Sequence, residues 1–352
     1  MLLEGIFAAI TTPFYPDGRL YPRKLEHNVD RYSRTPIAGL VVLGSTGEAV
    51  MLGDEETREV LRVARESAAP EKVLLAGVAR ESALETIKLA EFAAAQNYDV
   101  ALVRTPNYYS PQMRPLEMLT YYRMVADHSP LPVMLYSIPK FTHYDLPLEI
   151  IAELAQHSNI IGIKDSSGNL DRLKKLVAAT RSAPKRSTAV TNVFTAFTSR
   201  MMLDQPLEPS TFVPVDILGT NVTAIAVPPP KPKVATRTKE VGFQILSGSA
   251  DTFKDALDAG VAGGVLAFAG FAPQASQEIY TAWKDNDPKL AAEKQQRIVE
   301  ASRIVCGQYS IPGIKFACDL NGYYGGRPRL PLLPLNAEEQ ARVTKLMTDL
   351  RN

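Results

Sequence analysis

The chain has 352 residues, a formal net charge of +1, 45% hydrophobic residues and 22% charged residues. This composition is ordinary for a globular protein, and the near-neutral charge gives no sign of a nucleic-acid or membrane partner. No apolar run is long enough to span a bilayer. The two cysteines, Cys306 and Cys318, make no disulfide framework, and the N-terminus lacks a basic region. We therefore expect no signal peptide and a cytoplasmic location.

Short apolar runs alternate with helical patterns along the chain. The predicted strands are Gly5 to Thr12, Gly39 to Gly44, Lys72 to Val78, Val100 to Thr105, Pro132 to Tyr136, Ile160 to Lys164, Phe243 to Ser247 and Gly263 to Phe268. Eight strands that alternate with helices imply parallel pairing, and this number closes an α/β fold of the (β/α)₈ TIM barrel type. An open doubly wound sheet is disfavoured, because Thr12-Pro13-Phe14-Tyr15 is not a glycine-rich dinucleotide loop.

Helical patterns separate these strands and continue after the last one. They cover Tyr21 to Ser33, Asp54 to Ala69, Ser82 to Gln96, Pro115 to His128, Pro147 to His157, Asn169 to Thr180, a helix capped by Asp251, Gln274 to Lys284, Asp287 to Cys306, Pro312 to Leu320 and Asn336 to Leu350. We predict a barrel over residues 1–300 and a C-terminal helical extension over residues 301–352.

A proline-rich insertion at 183–240 interrupts the barrel between the sixth helix and the seventh strand. Such a connection normally takes only ~2–6 residues. Because the insertion follows a helix and precedes a strand, we expect it at the N-terminal rim of the barrel, opposite the usual active-site face. We interpret it as a lobe for packing or assembly, with a disordered linker as the alternative.

The stretch from Ile160 to Ser167 is an apolar run followed by small polar residues, which is typical of a buried parallel strand and its loop. Lys164 lies at the end of this strand. Burial disfavours the charged form of a lysine, and a neutral amine can attack a carbonyl to form a Schiff base. We interpret Lys164 as a nucleophile; the alternative is a lysine just past the strand that points into solvent.

Other polar residues follow the ends of the predicted strands, where barrels carry their active sites. Gly44-Ser45-Thr46-Gly47-Glu48 forms a tight turn whose amides can point at an anion, and Tyr136 supplies a phenol. The nucleophilic amine condenses with the ketone of a 2-oxo acid, the turn holds the carboxylate, and the phenol moves protons. The protonated imine serves as electron sink, so we expect no metal and no cofactor; the four histidines show no metal-ligand spacing.

Three motifs resemble the signatures of the dihydrodipicolinate synthase/N-acetylneuraminate lyase family of class I, pyruvate-dependent aldolases. They are Gly44-Ser45-Thr46-Gly47-Glu48, Tyr136-Ser137-Ile138-Pro139 and Gly162-Ile163-Lys164-Asp165. The likeness covers about Gly5 to Arg181 and Gln244 to Pro334. It extends to Pro312-Gly313-Ile314-Lys315-Phe316-Ala317 and to Arg329-Leu330-Pro331.

This resemblance implies a role for each matching residue. Lys164 would form the imine with pyruvate, and Tyr136 would be the general acid/base. Thr46 would relay protons between Tyr136 and Tyr108, a position that reaches across a subunit interface in the family. Ser45 and Thr46 would hold the pyruvate carboxylate. Gly248 and Leu266 match positions that line the pyruvate pocket. The implied partners are pyruvate, an aldehyde and further copies of this chain in a homo-oligomer, either a dimer or a tetramer.

Two features depart from the family pattern. The 183–240 insertion has no counterpart, and Phe141 stands where dihydrodipicolinate synthases carry an arginine for the second substrate's carboxylate. Lys140 is adjacent, but neighbours along an extended chain face opposite ways. We therefore expect an aldolase for 4-hydroxy-2-oxo acids or 2-keto-3-deoxy sugar acids, with Ser137 and Ser166 meeting substrate hydroxyls. Dihydrodipicolinate synthase is the alternative.

Three further readings stay open. A dehydratase would use the same imine to expel water. A phosphosugar enzyme would bind phosphate at Ser247-Gly248-Ser249 and Gly263-Gly264, as barrels often do after strands seven and eight. A non-catalytic barrel would be retained for assembly or ligand sensing.

Overall fold

A computed structural model describes residues 2–191 and 236–350. The strands, in chain order, are β1 (Gly5–Ala9), β2 (Gly39–Val42), β3 (Val73–Gly77), β4 (Val100–Arg104), β5 (Val133–Ser137), β6 (Ile160–Asp165), β7 (Arg186–Thr191), β8 (Thr236–Val241), β9 (Gln244–Ser247) and β10 (Gly263–Leu266). Eight of them close a parallel barrel in the order β1-β10-β9-β6-β5-β4-β3-β2. The predicted (β/α)₈ barrel is confirmed, with its insertion between the sixth barrel helix and the seventh barrel strand.

Helices surround the barrel and extend beyond its last strand. They are α1 (Pro22–Ser33), α2 (Asp54–Ser67), α3 (Ala83–Ala95), α4 (Pro115–His128), α5 (Pro139–Thr142), α6 (Leu148–Leu154), α7 (Leu170–Ala179), α8 (Phe253–Asp258), α9 (Pro273–Lys284), α10 (Pro288–Ala301), α11 (Ser310–Leu320) and α12 (Ala337–Leu346). Among the helices of the described ranges, none combines the length and apolar character that crossing a membrane requires.

Two predicted helix features differ in the structure. The helix expected to run from Asp287 to Cys306 is α-helical only to Ala301, and Ser302–Gln308 forms a π-helical segment. Asp251 does not cap α8, whose N-cap is Thr252 without a side-chain bond; its carboxylate instead accepts a hydrogen bond from the Ser249 hydroxyl. Both changes place polar groups beside the barrel mouth, as described below.

The core has two layers, because successive side chains of a strand point to opposite faces. An inner layer fills the barrel, with Phe7, Val41, Leu102, Met134 and Leu246 among its members. The outer layer joins the strands to the helices. The side chains that point inward at the C-terminal ends of the strands therefore line the floor of a pocket at the top of the barrel.

The insertion leaves and re-enters the barrel through a two-stranded antiparallel ribbon, β7 with β8. The Arg186 guanidinium donates to the carbonyl oxygens of His157 and Ile160 at 2.8 Å, and Lys239 pairs with Glu4. These partners precede or begin β6 and β1, so the ribbon lies at the N-terminal rim. Most of the predicted lobe, residues 192–235, lies outside the described residues.

Candidate active site

Lys164 and Tyr136 are neighbours inside the barrel. The strand register pairs Tyr136 of β5 with Lys164 of β6, and each residue is only 4% exposed. The Lys164 Nζ atom lies over the Tyr136 ring, 4.0 Å from its centroid. The amine is thus held against a phenol, away from bulk solvent, at the end of the barrel where active sites are built.

A hydroxyl from the turn after β2 approaches the same phenol. Ser45–Gly47 is a single 3₁₀ turn, and the Ser45 Oγ atom lies 3.3 Å from the Tyr136 hydroxyl oxygen. Thr46 is buried and lines the cavity above Lys164. In the described part of the chain the Thr46 hydroxyl forms no hydrogen bond with Tyr136. The relay role of Thr46 therefore stays a prediction, and Ser45 is the hydroxyl that the geometry places beside the phenol.

The cavity above Lys164 has a volume of about 280 Å³. Its wall includes Ser166 and Gly248, and a Cβ atom added to Gly248 would lie 1.9 Å from the Ser166 Oγ atom. Any other residue at 248 would displace Ser166, so this wall depends on a glycine. The cavity is close to the lower end of the size range of ligand pockets, which fits a small substrate.

Leu266 is placed differently from the position that the resemblance implies. Its side chain is fully buried in the outer layer between barrel and helices. Val265 and Ala267 line the cavity instead, because side chains alternate along the strand. Ser137 also points away from the cavity, and its buried hydroxyl has no hydrogen-bond partner among the described residues. Neither side chain contacts the candidate substrate space.

Tyr108 lies at the rim rather than beside Tyr136. It is 77% exposed and lines a second cavity of about 740 Å³ together with Ser45 and Tyr136. Glu81 fixes this loop, since its carboxylate accepts hydrogen bonds from the amides of Asn107 and Tyr108 at 2.8 and 2.9 Å. Burial raises the pKa of Glu81, but these amides and Arg104 outweigh it and hold the pKa below its usual value.

A buried ion pair supports the Ser45–Gly47 turn from behind. The Lys315 Nζ atom lies 2.6 Å from a Glu48 carboxylate oxygen, and both side chains are essentially inaccessible to solvent. Lys315 also donates to the carbonyl oxygen of Thr12, whose hydroxyl donates to the carbonyl oxygen of Gly47. The Arg329 amide donates to the second Glu48 oxygen at 2.8 Å. The C-terminal segments thereby fix the turn that carries Ser45.

We expect Lys315→Met to lower the free energy of unfolding by about 3–5 kcal/mol, because it leaves the Glu48 carboxylate buried without its cation. Urea denaturation measures this change. Adding Glu48→Gln should restore part of the loss, and Lys289→Met, at an exposed lysine, is the control. A loss below about 1 kcal/mol for Lys315→Met would show that the ion pair does not hold the turn.

Lys140 and Phe141 both face the cavity, contrary to the expectation that they point to opposite sides. Residues Pro139–Thr142 form a helical turn, α5, so the alternation of an extended chain does not apply. Lys140 donates to the carbonyl oxygen of Gly307 at 2.8 Å and lines the same cavity as Lys164. Phe141 lines both cavities. Phe141 therefore does not exclude an acidic second substrate, because Lys140 lines the same cavity.

Comparison with known proteins identifies the family of this chain. The model of the "Dihydrodipicolinate synthetase family" matches residues 2–184 and 232–350. The chain belongs to this family. The family consists of lyases of the class I aldolase type, so the predicted family and enzyme class are confirmed. The family match leaves out residues 185–231, which lie within the predicted insertion.

Curated relatives of this chain align with nearly its whole length. A 4-hydroxy-tetrahydrodipicolinate synthase of Xanthomonas axonopodis is 31% identical over 99% of this chain and 95% of its own length. One of Methanothrix thermoacetophila is 28% identical over 99% and 97%. Among solved structures, YagE of E. coli K12 in complex with pyruvate has a TM-score of 0.78 and 25% identity, with 99% of both chains covered.

For several residues around the site, no role could be predicted from the sequence. Lys315 and Glu48 lie within recognised motifs, but their pairing joins distant parts of the chain. Arg303 lines the cavity from the π-helical segment, and no pattern predicted that segment. Among the described residues no group of three or more His, Cys, Asp or Glu side chains is arranged to hold a metal ion.

Proposed function

We propose that this enzyme forms or cleaves a carbon–carbon bond to pyruvate through a Schiff base on Lys164. One observation carries the proposal: the buried Lys164 amine lies against the Tyr136 ring and opens into a small cavity beside Ser45. An amine shielded from solvent beside a phenol is the arrangement that imine formation and proton transfer require. The related protein YagE has been solved in complex with pyruvate, which supports pyruvate as the ligand.

The proposed reaction proceeds through a protonated imine and an enamine. The Lys164 amine attacks the C2 carbonyl of pyruvate, and water leaves as the protonated imine forms. Tyr136 gives its proton to the departing water and then takes a proton from C3, which yields an enamine that attacks the aldehyde carbon. Tyr136 next protonates the new alkoxide, and hydrolysis of the imine releases the product and the free amine and returns the proton to Tyr136. Ser45 and Thr46 hold the carboxylate, and cleavage is the reverse sequence.

Three activities are candidates within this proposal, and they differ in the substrate or in the bond that is broken. Our first candidates remain 4-hydroxy-2-oxo acids and 2-keto-3-deoxy sugar acids, for which Ser166 faces the cavity. The curated relatives are 4-hydroxy-tetrahydrodipicolinate synthases, which supports the alternative of aspartate semialdehyde as the second substrate. A dehydratase that uses the same imine is the third candidate.

A substrate screen decides among these candidates. Pyruvate is offered with aspartate semialdehyde, glyoxylate and sugar aldehydes, and 2-keto-3-deoxy sugar acids are offered alone, with mass spectrometry of all products. Release of pyruvate from a sugar acid supports the aldolase. Efficient turnover of aspartate semialdehyde supports the synthase, and a product that has lost only water supports the dehydratase. No reaction with any substrate would count against the proposal.

The structure gives little support to a phosphosugar site. The Ser249 amide donates to the Ser247 hydroxyl at 3.2 Å, and the Gly248 amide donates to the Asp165 carbonyl at 2.7 Å. Amides already used within the turn are not available to a phosphate. Gly263 and Gly264 pair with neighbouring strands on both sides of β10. This disfavours the phosphosugar alternative.

We further propose that the chain forms a homo-oligomer, a dimer or a tetramer, through the face that carries Tyr108. Tyr108, Tyr109 and Val50 are 77%, 62% and 73% exposed. Val50 and Tyr108 line the same cavity as Tyr136, so this apolar patch borders the site. Clustered exposed apolar side chains mark interaction surfaces. Sedimentation velocity tests the proposal, and a monomer at all concentrations contradicts it.

The insertion is proposed to serve packing or assembly rather than chemistry. Thr191 pairs with Thr236 across the ribbon, so an Asn-Gly turn can replace residues 192–235 as a two-residue hairpin. We expect this excision variant to retain activity per folded subunit. Turnover is compared with that of the parent chain, and the fold is checked by circular dichroism. A well-folded but inactive variant would show that the insertion takes part in the chemistry.

A further inference from the structure

We propose that Lys140 and Arg303 form an anion site at the mouth of the Lys164 cavity, and that the aldehyde partner carries an acidic group at its far end. This inference rests on the proposed Schiff-base chemistry at Lys164. Lys140 and Arg303 then bind the end of the aldehyde that does not react. Among the candidates above, this anion site favours glyoxylate and aspartate semialdehyde, which carry a carboxylate, over neutral sugar aldehydes.

Both cations line the same small cavity as the reactive amine. Lys140 projects from the helical turn after β5, and Arg303 projects from the π-helical segment Ser302–Gln308. Lys140 bonds the carbonyl oxygen of Gly307, which ties the two segments together at 2.8 Å. π-helical turns occur frequently at functional sites, because they redirect side chains that a regular helix would place elsewhere.

The charge balance of the cavity favours an anion. Its charged lining residues are Lys140, Lys164, Arg303 and Asp251. After Lys164 has formed the imine with pyruvate, the other charged lining residues are two cations, Lys140 and Arg303, and one carboxylate, Asp251. Asp251 is the competing group, since its carboxylate lies 3.5 Å from the Arg303 Nε atom. That contact is long and Arg303 remains 65% exposed, so the guanidinium keeps donors for a ligand.

The position of these cations explains how the enzyme can bind an acidic second substrate with phenylalanine, not arginine, at position 141. An arginine at 141 would be redundant if the carboxylate of the second substrate were bound by Lys140 from the same helical turn and by Arg303 from across the mouth. Phe141 then contributes an apolar wall beside these cations. A carboxylate bound by two cationic side chains gains charge-assisted hydrogen bonds, which are about twice as strong as neutral ones.

The test compares two aldehydes of equal chain length, succinic semialdehyde with a terminal carboxylate and butyraldehyde without one. With pyruvate as the first substrate, the unmodified enzyme is expected to prefer the acidic aldehyde. Arg303→Gln and Lys140→Gln should each raise the KM for succinic semialdehyde about tenfold and leave that for butyraldehyde unchanged. Asp251→Asn should lower the KM for the acidic aldehyde, because it removes the competing acid.

Arg23→Gln is the matched control, since Arg23 is an exposed arginine of α1 that does not line the cavity. Borohydride trapping of pyruvate is measured on every variant, so that a failure of the Schiff-base proposal is recognised separately. With trapping intact, equal use of both aldehydes, use of neither, or equal KM changes for both aldehydes in Arg303→Gln would overturn the inference.

Discussion

Lys164→Ala is expected to reduce turnover to the background rate, because the variant has no amine that can condense with pyruvate. Lys164 is buried against Tyr136 inside the barrel, so no other described lysine occupies an equivalent place at that phenol. The substitution removes a buried amine and leaves the strand pairing of β6 intact. We expect a change in the free energy of unfolding within the ~0.5–3 kcal/mol that is typical of single substitutions.

The control is Lys174→Ala, at an exposed lysine of α7. It should retain the parent's turnover. Steady-state rates and urea denaturation are measured on both variants. Turnover of Lys164→Ala within tenfold of the parent, in a folded protein, would contradict the proposed covalent mechanism.

Tyr136→Phe is expected to lower kcat by roughly two to four orders of magnitude, the range typical of the loss of a general acid/base. The phenyl ring remains beside Lys164, so the packing of the barrel interior is kept while the hydroxyl near Ser45 is lost. The amine is retained, and pyruvate should still be trapped on the enzyme, although more slowly.

Tyr98→Phe provides the matched control, because Tyr98 is also buried and its hydroxyl donates to the Leu61 carbonyl outside both cavities. Loss of that hydrogen bond should cost about 0.5–1.5 kcal/mol of stability and leave kcat unchanged. If Tyr136→Phe were no slower than Tyr98→Phe, Tyr136 would not be the proton carrier.

The grouping of Lys164, Tyr136 and Ser45 could be predicted from the sequence for a simple reason. Each residue follows or ends an apolar strand, and the ends of parallel barrel strands meet at one rim. The eight-strand pattern was strong enough to give the fold, because each strand is a buried apolar run between helical segments. Family resemblance then added the roles of these residues.

Other parts of the site depended on information that local patterns do not contain. The direction of Lys140 follows from a single helical turn where an extended chain was expected. Arg303 reaches the cavity from a π-helical segment, and such segments have no clear sequence signature. The Glu48 contact with the Arg329 amide joins residues 281 positions apart. Leu266 lies in the outer layer, because the alternation of side chains in β10 directs Val265 inward.

The measurement that tests the central claim most directly is the intact mass of the enzyme after incubation with pyruvate and borohydride. We predict the addition of one reduced pyruvate imine per chain, localised to Lys164 by peptide mapping and absent from Lys164→Ala. An unchanged mass in the parent protein, or the same adduct in Lys164→Ala, would contradict the account.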